Sequence, residues 1–215
     1  MRALRVLPAL AAGLRNGRDL AADEGTLREL TVLTYFSETE LKYDGSQLAS
    51  HFAYRSFGLL GDSVVAFLGP CEVKLEAMVD LEDVRRRDPI YSRRMLHFLW
   101  ESFALDLRGA AAFQRLMVAC VAEALREKGV AELKRLGDDL YVGERKLSVS
   151  IATASPVSTL IHLGLNVTGE GAPVAAVGLG DLGIDAGGFA KICLERFREE
   201  YEGLLKASYK VRPVD

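Results

Sequence analysis

The 215-residue chain is poor in cysteine and has no long hydrophobic run. Its three cysteines, Cys71, Cys120 and Cys193, lie far apart, and an odd number of cysteines cannot all form disulfides within the chain. This usage is typical of a reducing compartment, so we expect a cytoplasmic protein. No stretch reaches the roughly 18 apolar residues that mark a membrane-spanning helix, so we expect no membrane partner.

The chain also lacks a strong excess of charge of one sign. Thirty acidic and 27 basic residues give a net charge of -3, which argues against a protein whose main task is to cover nucleic acid. Hydrophobic residues make up 49% and charged residues 27%, which are ordinary globular values. The composition therefore predicts one domain whose core needs neither a disulfide nor a metal ion.

The first 26 residues do not share the pattern of the rest. The apolar run over 6–14 resembles a signal peptide, but Pro8 interrupts it, Arg15 and Arg18 follow it, and no convincing cleavage site is present. We expect an N-terminal extension over 1–26, as a short amphipathic helix or a loose segment. A start codon assigned too far upstream would explain these residues equally well.

From residue 27 onward the sequence indicates alternating strands and helices. β-Branched and aromatic residues concentrate in the predicted strands, and apolar residues recur every three or four positions in the predicted helices. Hairpins outnumber strand–helix–strand units, so we predict a single α+β domain over 27–215 with a mostly antiparallel mixed sheet flanked by helices. The predicted strands cover 30–36, 63–68, 95–103, 139–142, 146–153, 160–167 and 174–177, and the predicted helices cover 46–56, 113–125 and 189–205.

Several boundaries depend on single residues. Asp44 is a predicted N-cap of the first helix, and Gly58 is its predicted end. Gly69 and Pro70 are predicted to end the strand over 63–68.

The most informative segment for function is a predicted hairpin with a two-residue, glycine-containing turn. Asp138 and Asp139 stand at the start of its first strand, and Arg145 and Lys146 at the start of its second. The carboxylates and the ammonium can therefore lie at the same end of the sheet. A surface salt bridge worth roughly 0.5 kcal/mol explains these residues as well as a functional site does.

The segment 80–94 carries five arginines among acidic residues, with Arg85, Arg86 and Arg87 in succession. Intermixed charges are typical of a solvated, self-compensating surface loop. The alternative is a mobile loop whose guanidinium groups bind a phosphate.

Two further patterns point to structure rather than to chemistry. Gly178, Gly180 and Gly183 match G-x-G-x-x-G, but only one helix follows and no second strand can close a βαβ unit, so a turn is expected. The three histidines, His51, His97 and His162, are isolated, and none lies near a cysteine at the spacing of metal ligands. His97 and His162 fall in predicted strands and are interpreted as structural.

The run over 113–167 resembles the catalytic core of biotin protein ligases and their lipoate ligase relatives. Those enzymes have an amphipathic helix, a strand close to KWPNDLY, a turn, GRKLAGIL and a later strand close to GxGINV. This chain has RLGDDLYV, GERKLSVSI and HLGLNV in the same order, followed by a helix with the sequence GGFAKICLERFREEYEGLL.

This resemblance implies roles for residues that match by position. Lys146 stands where the ligases have the lysine that holds the acyl-adenylate, and Asp139 matches their aspartate; both are the implied catalytic residues. Asp138 stands where an asparagine is usual, and Gly164 and Asn166 match the later strand. The resemblance further implies ATP and Mg²⁺ as cofactors, a small carboxylic acid as substrate and an acceptor protein.

The departures from the ligases concern the acyl pocket and the nucleotide-covering loop. Val149 replaces a glycine and Ser148 precedes it, so the pocket is expected to be shaped differently; Ser148 and Arg145 are included among the expected binding residues. Neither GRGRxGR nor RRxSGGG is present. Only the arginine-rich part of 85–94 lies in that region of the chain, and Arg85, Arg86 and Arg87 are the expected substitutes.

From residue 43 onward the chain is identified as a member of the family catalogued as domain of unknown function three-six-six. YDGSQL, GDSVVAFLGPC, MVDLEDV, DDLYVGERKLSVSIAT and SPVSTLIHLGLNV carry this likeness. Two functions stay open: an adenylate-forming ligase or acyltransferase, and a non-catalytic module that binds a nucleotide, an acyl ligand or a protein. An edge strand could also pair two subunits into a homodimer.

Overall fold

A five-stranded sheet forms the centre of the fold in the computed structural model, which describes residues 32–214. Its strands are β1 (Leu33–Phe36), β2 (Ser63–Val73), β3 (Ile90–Ser102), β7 (Ser148–Ala154) and β8 (Thr159–Asn166). Their order across the sheet is β1-β2-β3-β8-β7. β1 and β2 are parallel, whereas the other neighbours are antiparallel. The predicted α+β class with a mostly antiparallel sheet is confirmed.

Two long helices, α3 (Leu107–Glu127) and α4 (Ala186–Tyr209), contribute most of the apolar side chains on one side of the sheet. Trp100 of β3 packs between Phe113 of α3 and Tyr201 of α4, with ring centroids 4.5 and 4.7 Å away. The apolar stripes that predicted both helices are buried against the sheet, which stabilises helices that would be marginal alone.

The opposite side of the sheet has a smaller core. Met95, His97 and Leu99 alternate along β3 with residues that face the long helices, so they belong to this second side. Its apolar residues pack with the short helix α1 (Phe52–Phe57) and with parts of the segment 73–90, which contains α2 (Leu81–Arg86).

A separate three-stranded sheet contains β4 (Leu133–Leu136), β5 (Asp139–Val142) and β6 (Arg145–Lys146). The prediction of one strand over 146–153 was wrong, because the chain changes sheets at Leu147. The buried Leu147 donates its N–H to Leu140 of β5, and its carbonyl accepts from Asn166 of β8. One residue therefore belongs to both ladders.

The prediction that Gly69 and Pro70 end the second strand was also wrong, since β2 continues to Val73. The register shifts between Gly69 and Cys71, and such a bulge accommodates a proline that cannot donate to the ladder. A Cβ on Gly69 would lie 1.9 Å from the carbonyl oxygen of Leu41, so glycine is needed for the close approach of that segment.

The region 44–58 forms less helix than predicted. Asp44 accepts hydrogen bonds from the N–H and the hydroxyl of Ser46 in a turn, and α1 begins only at Phe52. The predicted end at Gly58 is confirmed, since this residue has φ 73° and its N–H bonds to the last turn.

Two other predicted strands differ in extent from those in the structure. β3 begins at Ile90 rather than at residue 95, and the predicted strand over 174–177 is a single bridge between Lys146 and Ala176. The glycines over 178–183 form a turn, as expected, in which a Cβ on Gly178 would lie 2.3 Å from the backbone of Val167. The predicted extension over 1–26 lies outside the described residues.

Candidate functional site

A cavity of about 480 Å³ lies on the side of the sheet opposite the long helices. Its walls come from β7, β8, the start of β5 and the segment 73–91. The lining includes Asp138, Asp139, Lys146 and Asn166, four of the residues that the sequence proposed as a site.

Lys146 and Asp139 form an ion pair in the wall of this cavity. Lys146 lies opposite Tyr141 in the β5–β6 hairpin, and Asp139 is two residues before Tyr141 on the same face. The distance between Nζ and Oδ2 is 2.7 Å, and the two side chains are 28% and 27% exposed. Burial raises the pKa of Asp139, and the hydrogen bond from Lys146 opposes that rise.

The backbone of Lys146 is held on both sides. Its N–H donates to Ala175, and its carbonyl accepts from the N–H of Val177 and from Nδ2 of Asn166, at 2.9, 3.0 and 3.3 Å. Three hydrogen bonds thus fix the backbone from which the side chain of Lys146 extends. Asn166 therefore helps to hold the backbone of Lys146.

Asp138 is held by residues that the sequence analysis missed. Its Oδ2 accepts from Nε2 of Gln114 at 2.9 Å and from Oγ of Ser150 at 3.3 Å. Gln114 also donates to Ser150 at 2.7 Å, which closes a three-residue network. A polar residue at 114, next to Phe113 on the buried stripe of α3, was the available signal.

Three proposed residues in and after the β5–β6 hairpin, Arg145, Ser148 and Gly164, lie outside the cavity lining. The hydroxyl of the buried Ser148 accepts the N–H of Leu140 at 2.8 Å, so it joins β7 to β5. Arg145 is exposed. Gly164 provides space for Met95, because a Cβ there would lie 2.3 Å from Sδ of Met95.

The arginine-rich segment forms α2 rather than an irregular loop. Arg86 lines the cavity and pairs with Glu82 at 3.0 Å, whereas Arg85 and Arg87 do not line it. Arg87 ends the helix with φ 60°. The structure thus brings one of the three arginines to the cavity that holds Lys146.

Carboxylates outnumber cations in the cavity lining. Burial raises the pKa of Asp83, repulsion from Asp80 adds to the rise, and attraction to Lys146 opposes it. The lining cations are Lys146 and Arg86; the carboxylates are those of Asp80, Glu82, Asp83, Asp88, Asp138 and Asp139. The cavity therefore favours a ligand or metal complex that brings positive charge.

His97 and His162 are not isolated, contrary to the prediction. Nδ1 of His97 lies 3.0 Å from Nε2 of His162, and His162 also lines the cavity. The sequence gave no signal of this contact, because it depends on β3 and β8 being neighbours in the sheet.

Within residues 32–214, no group of three or more histidine, cysteine, aspartate or glutamate residues is arranged to hold a metal ion. None of the helices in that range is long and apolar enough to cross a membrane.

The fold is that of biotin and lipoate ligases. The biotin protein ligase from Aquifex aeolicus superposes with a TM-score of 0.51 at 14% identity, over 84% of this chain and 72% of that chain. P. falciparum LipL1 in complex with lipoate superposes with a TM-score of 0.51 at 10% identity, over 86% of this chain and 64% of that chain. At these identities the likeness shows the fold alone.

The chain belongs to the family described as domain of unknown function (DUF366), whose model matches residues 32–212. The uncharacterized protein MJ0805 of Methanocaldococcus jannaschii is 41% identical over 155 residues, which are 69% of this chain and 70% of that protein. A protein of unknown function from Pyrococcus horikoshi has a TM-score of 0.82 at 45% identity, over 86% of this chain and all of that one.

Proposed function

We propose that this protein is an adenylate-forming ligase or acyltransferase that acts on a small carboxylic acid in the cavity beside Lys146. The observation that carries the proposal is the Lys146 ammonium, held in the cavity wall by Asp139 and by fixed backbone bonds. A fixed cation is suited to charge that develops in a transition state, because no reorganisation is needed during the reaction.

In the proposed reaction, a carboxylate oxygen attacks the α-phosphorus of ATP. A bond forms between this oxygen and the α-phosphorus, the bond between the α-phosphorus and the bridging oxygen breaks, and pyrophosphate leaves with the electron pair. An amine or thiol of an acceptor protein then attacks the acyl carbon. The bond between the acyl carbon and the phosphate oxygen breaks, AMP leaves with that electron pair, and the amine or thiol loses its proton to water. Lys146 would bind the oxygens of the α-phosphate, in exchange for part of its contact with Asp139.

The acidic lining makes Mg²⁺ a necessary companion of ATP in this proposal. Six carboxylates would repel a free triphosphate, whereas a phosphate-bound Mg²⁺ lowers its charge. In this proposal the carboxylate of Asp138, which Gln114 and Ser150 hold by hydrogen bonds, would approach such an ion. We therefore expect ATP to bind with Mg²⁺ and to bind poorly without it.

ATP–pyrophosphate exchange with Mg²⁺ and a pooled panel of carboxylic acids tests this function. We expect acid-dependent exchange by the wild-type chain and a loss of at least about 100-fold in Lys146→Ala. Lys134→Ala is the matched control, because Lys134 is an exposed lysine of the same small sheet that pairs with Glu144. Undiminished exchange by folded Lys146→Ala would refute the catalytic role.

A non-catalytic binding module is the second candidate. Both lining cations already pair with carboxylates, Lys146 with Asp139 and Arg86 with Glu82, which favours a ligand that carries no phosphate. This candidate predicts an acid-induced rise in melting temperature with no pyrophosphate exchange. Exchange with any acid of the panel would eliminate it.

A further inference from the structure

Two buried histidines lie side by side on the cavity side of the sheet, and one of them, His162, lines the cavity. His97 of β3 is fully buried and His162 of β8 is 3% exposed. The ring of Tyr43 stacks on His162 with centroids 3.8 Å apart, and Phe67 stacks on His97 at 4.9 Å. Both imidazoles are therefore fixed on the side of the sheet that faces the cavity.

The partners of these rings determine where their protons lie. Nε2 of His97 is 3.3 Å from the carbonyl oxygen of Gly69, and a carbonyl only accepts. Nε2 of His97 therefore carries the proton, and its Nδ1 accepts from the Nε2–H of His162. Nδ1 of His162 is left with a lone pair. Burial lowers the pKa of His97 to about 3 and that of His162 well below its usual value, so both rings are neutral at pH 7.

Within the described residues, no donor lies at hydrogen-bond distance from Nδ1 of His162. Four side-chain atoms in the same part of the chain are fully buried without a partner, and Nδ1 of His162 is not one of them. This unpartnered atom therefore keeps some accessible surface. Because His162 lines the cavity, its lone pair is available to a ligand there. An acceptor in such surroundings loses free energy when an apolar group covers it.

The two polar ends of the cavity are separated by an apolar floor. His162 and Asn166 lie four residues apart on one face of β8, which corresponds to roughly 13 Å. Asn166 bonds to the carbonyl of Lys146, so Lys146 lies at the Asn166 end. Between the ends, Met95 occupies the space above Gly164, and Val149 of β7 lies opposite Gly164.

We propose that the acid bound in this cavity carries a neutral N–H or O–H donor at the end remote from its carboxylate, and that Nδ1 of His162 accepts from it. This inference rests on the proposed function, since it assumes that the carboxylate lies near Lys146. An acid that ends in a methyl group would leave Nδ1 of His162 without a hydrogen bond. Such an acid should bind more weakly, because a buried polar group that stays unpaired costs binding free energy.

Matched pairs of acids test the inference. The probes are ω-hydroxy acids with chains of about four to ten carbons, and fatty acids in which a methyl group replaces each hydroxyl. We expect calorimetry on the wild-type protein to show at least about tenfold tighter binding of the hydroxy acid at the best-fitting length. His162→Phe keeps a ring on Tyr43 and is expected to reverse the preference. His51→Asn is the control that should retain the preference, because the ring of His51 stacks on Phe103 and does not line the cavity.

A second measurement does not depend on the folding of a variant. In ¹⁵N spectra of wild-type imidazoles, the Nδ1 signal of His162 should shift with the hydroxy acid and not with its methyl counterpart. Equal binding of hydroxy acids and fatty acids would overturn this inference and leave the proposed function standing. The same holds if the protein binds neither kind of acid but still catalyses acid-dependent ATP–pyrophosphate exchange. If no acid binds and no exchange occurs, the proposed function is overturned as well.

Discussion

Ser148 and Ser150 lie two residues apart on β7, but their hydroxyls bond to different elements. Ser148 accepts the N–H of Leu140 in the small sheet, whereas Ser150 joins the network of Gln114 and Asp138. The first hydroxyl therefore holds two sheets together, and the second holds a carboxylate of the candidate site.

Removing the Ser148 hydroxyl should lower stability. Ser148→Ala leaves the buried N–H of Leu140 without a partner, so we expect the free energy of unfolding to fall by about 1–3 kcal/mol. Urea denaturation measures this change. Ser208→Ala, on the exposed side of α4, is the control and should stay within about 0.5 kcal/mol of wild type. An equally small change in Ser148→Ala would mean that the inter-sheet bond contributes nothing.

At the scale of elements, strand β2 depends on the irregularity at Gly69 and Pro70. The bulge lets the strand continue past a proline, and the missing side chain of Gly69 lets Leu41 approach. The same bulge presents the Gly69 carbonyl to Nε2 of His97. The irregularity therefore also sets the tautomer of the histidine pair.

Two glycine substitutions with opposite expected signs test this account. Gly69→Ala forces a Cβ against backbone that cannot move freely, and we expect a loss of about 1–3 kcal/mol in unfolding free energy. Gly203→Ala is the matched control, because Gly203 lies exposed within α4 with nothing near the new methyl group. It should gain about 1 kcal/mol from the higher helix propensity of alanine. Denaturation curves of both variants decide the matter, and a neutral Gly69→Ala would show that Leu41 can withdraw.

At the scale of the whole molecule, the buried histidine pair makes stability depend on pH. Burial places the pKa of His97 at about 3 and that of His162 well below its usual value, whereas both would be about 6.5 in the unfolded chain. A lowered folded-state pKa contributes stability that is present above pH 6.5 and is lost as the pH falls toward the folded-state value.

We expect the unfolding free energy to fall by about 2 kcal/mol between pH 8 and pH 5 through His97, whose folded-state pKa is about 3, and to fall further through His162. Burial raises the pKa of Asp83 and Asp139, which acts in the opposite direction and matters only nearer their own pKa values. Urea titrations across this range measure the slope. A flat profile for the wild-type protein would contradict neutral burial of the pair.

Local patterns in the sequence were enough to predict those helices and strands that keep one face against the same core over their whole length. The apolar stripes of α3 and α4 and the run of β8 each mark contact with one continuous core, so helix and strand periods remain readable. The proximity of Asp139 and Lys146 was also predictable, because a hairpin joins them within eight residues. The same information was sufficient for the α+β class.

Only the tertiary structure decided which distant residues share a site. His97 and His162 are 65 residues apart and meet because β3 and β8 are neighbours, and Gln114 reaches Asp138 from a different element. The passage of β2 through Pro70 and the change of sheet at Leu147 likewise depend on partners remote in sequence. A pattern within one segment reports which of its faces is buried, whereas strand order and side-chain partners are set by the packing of the whole chain.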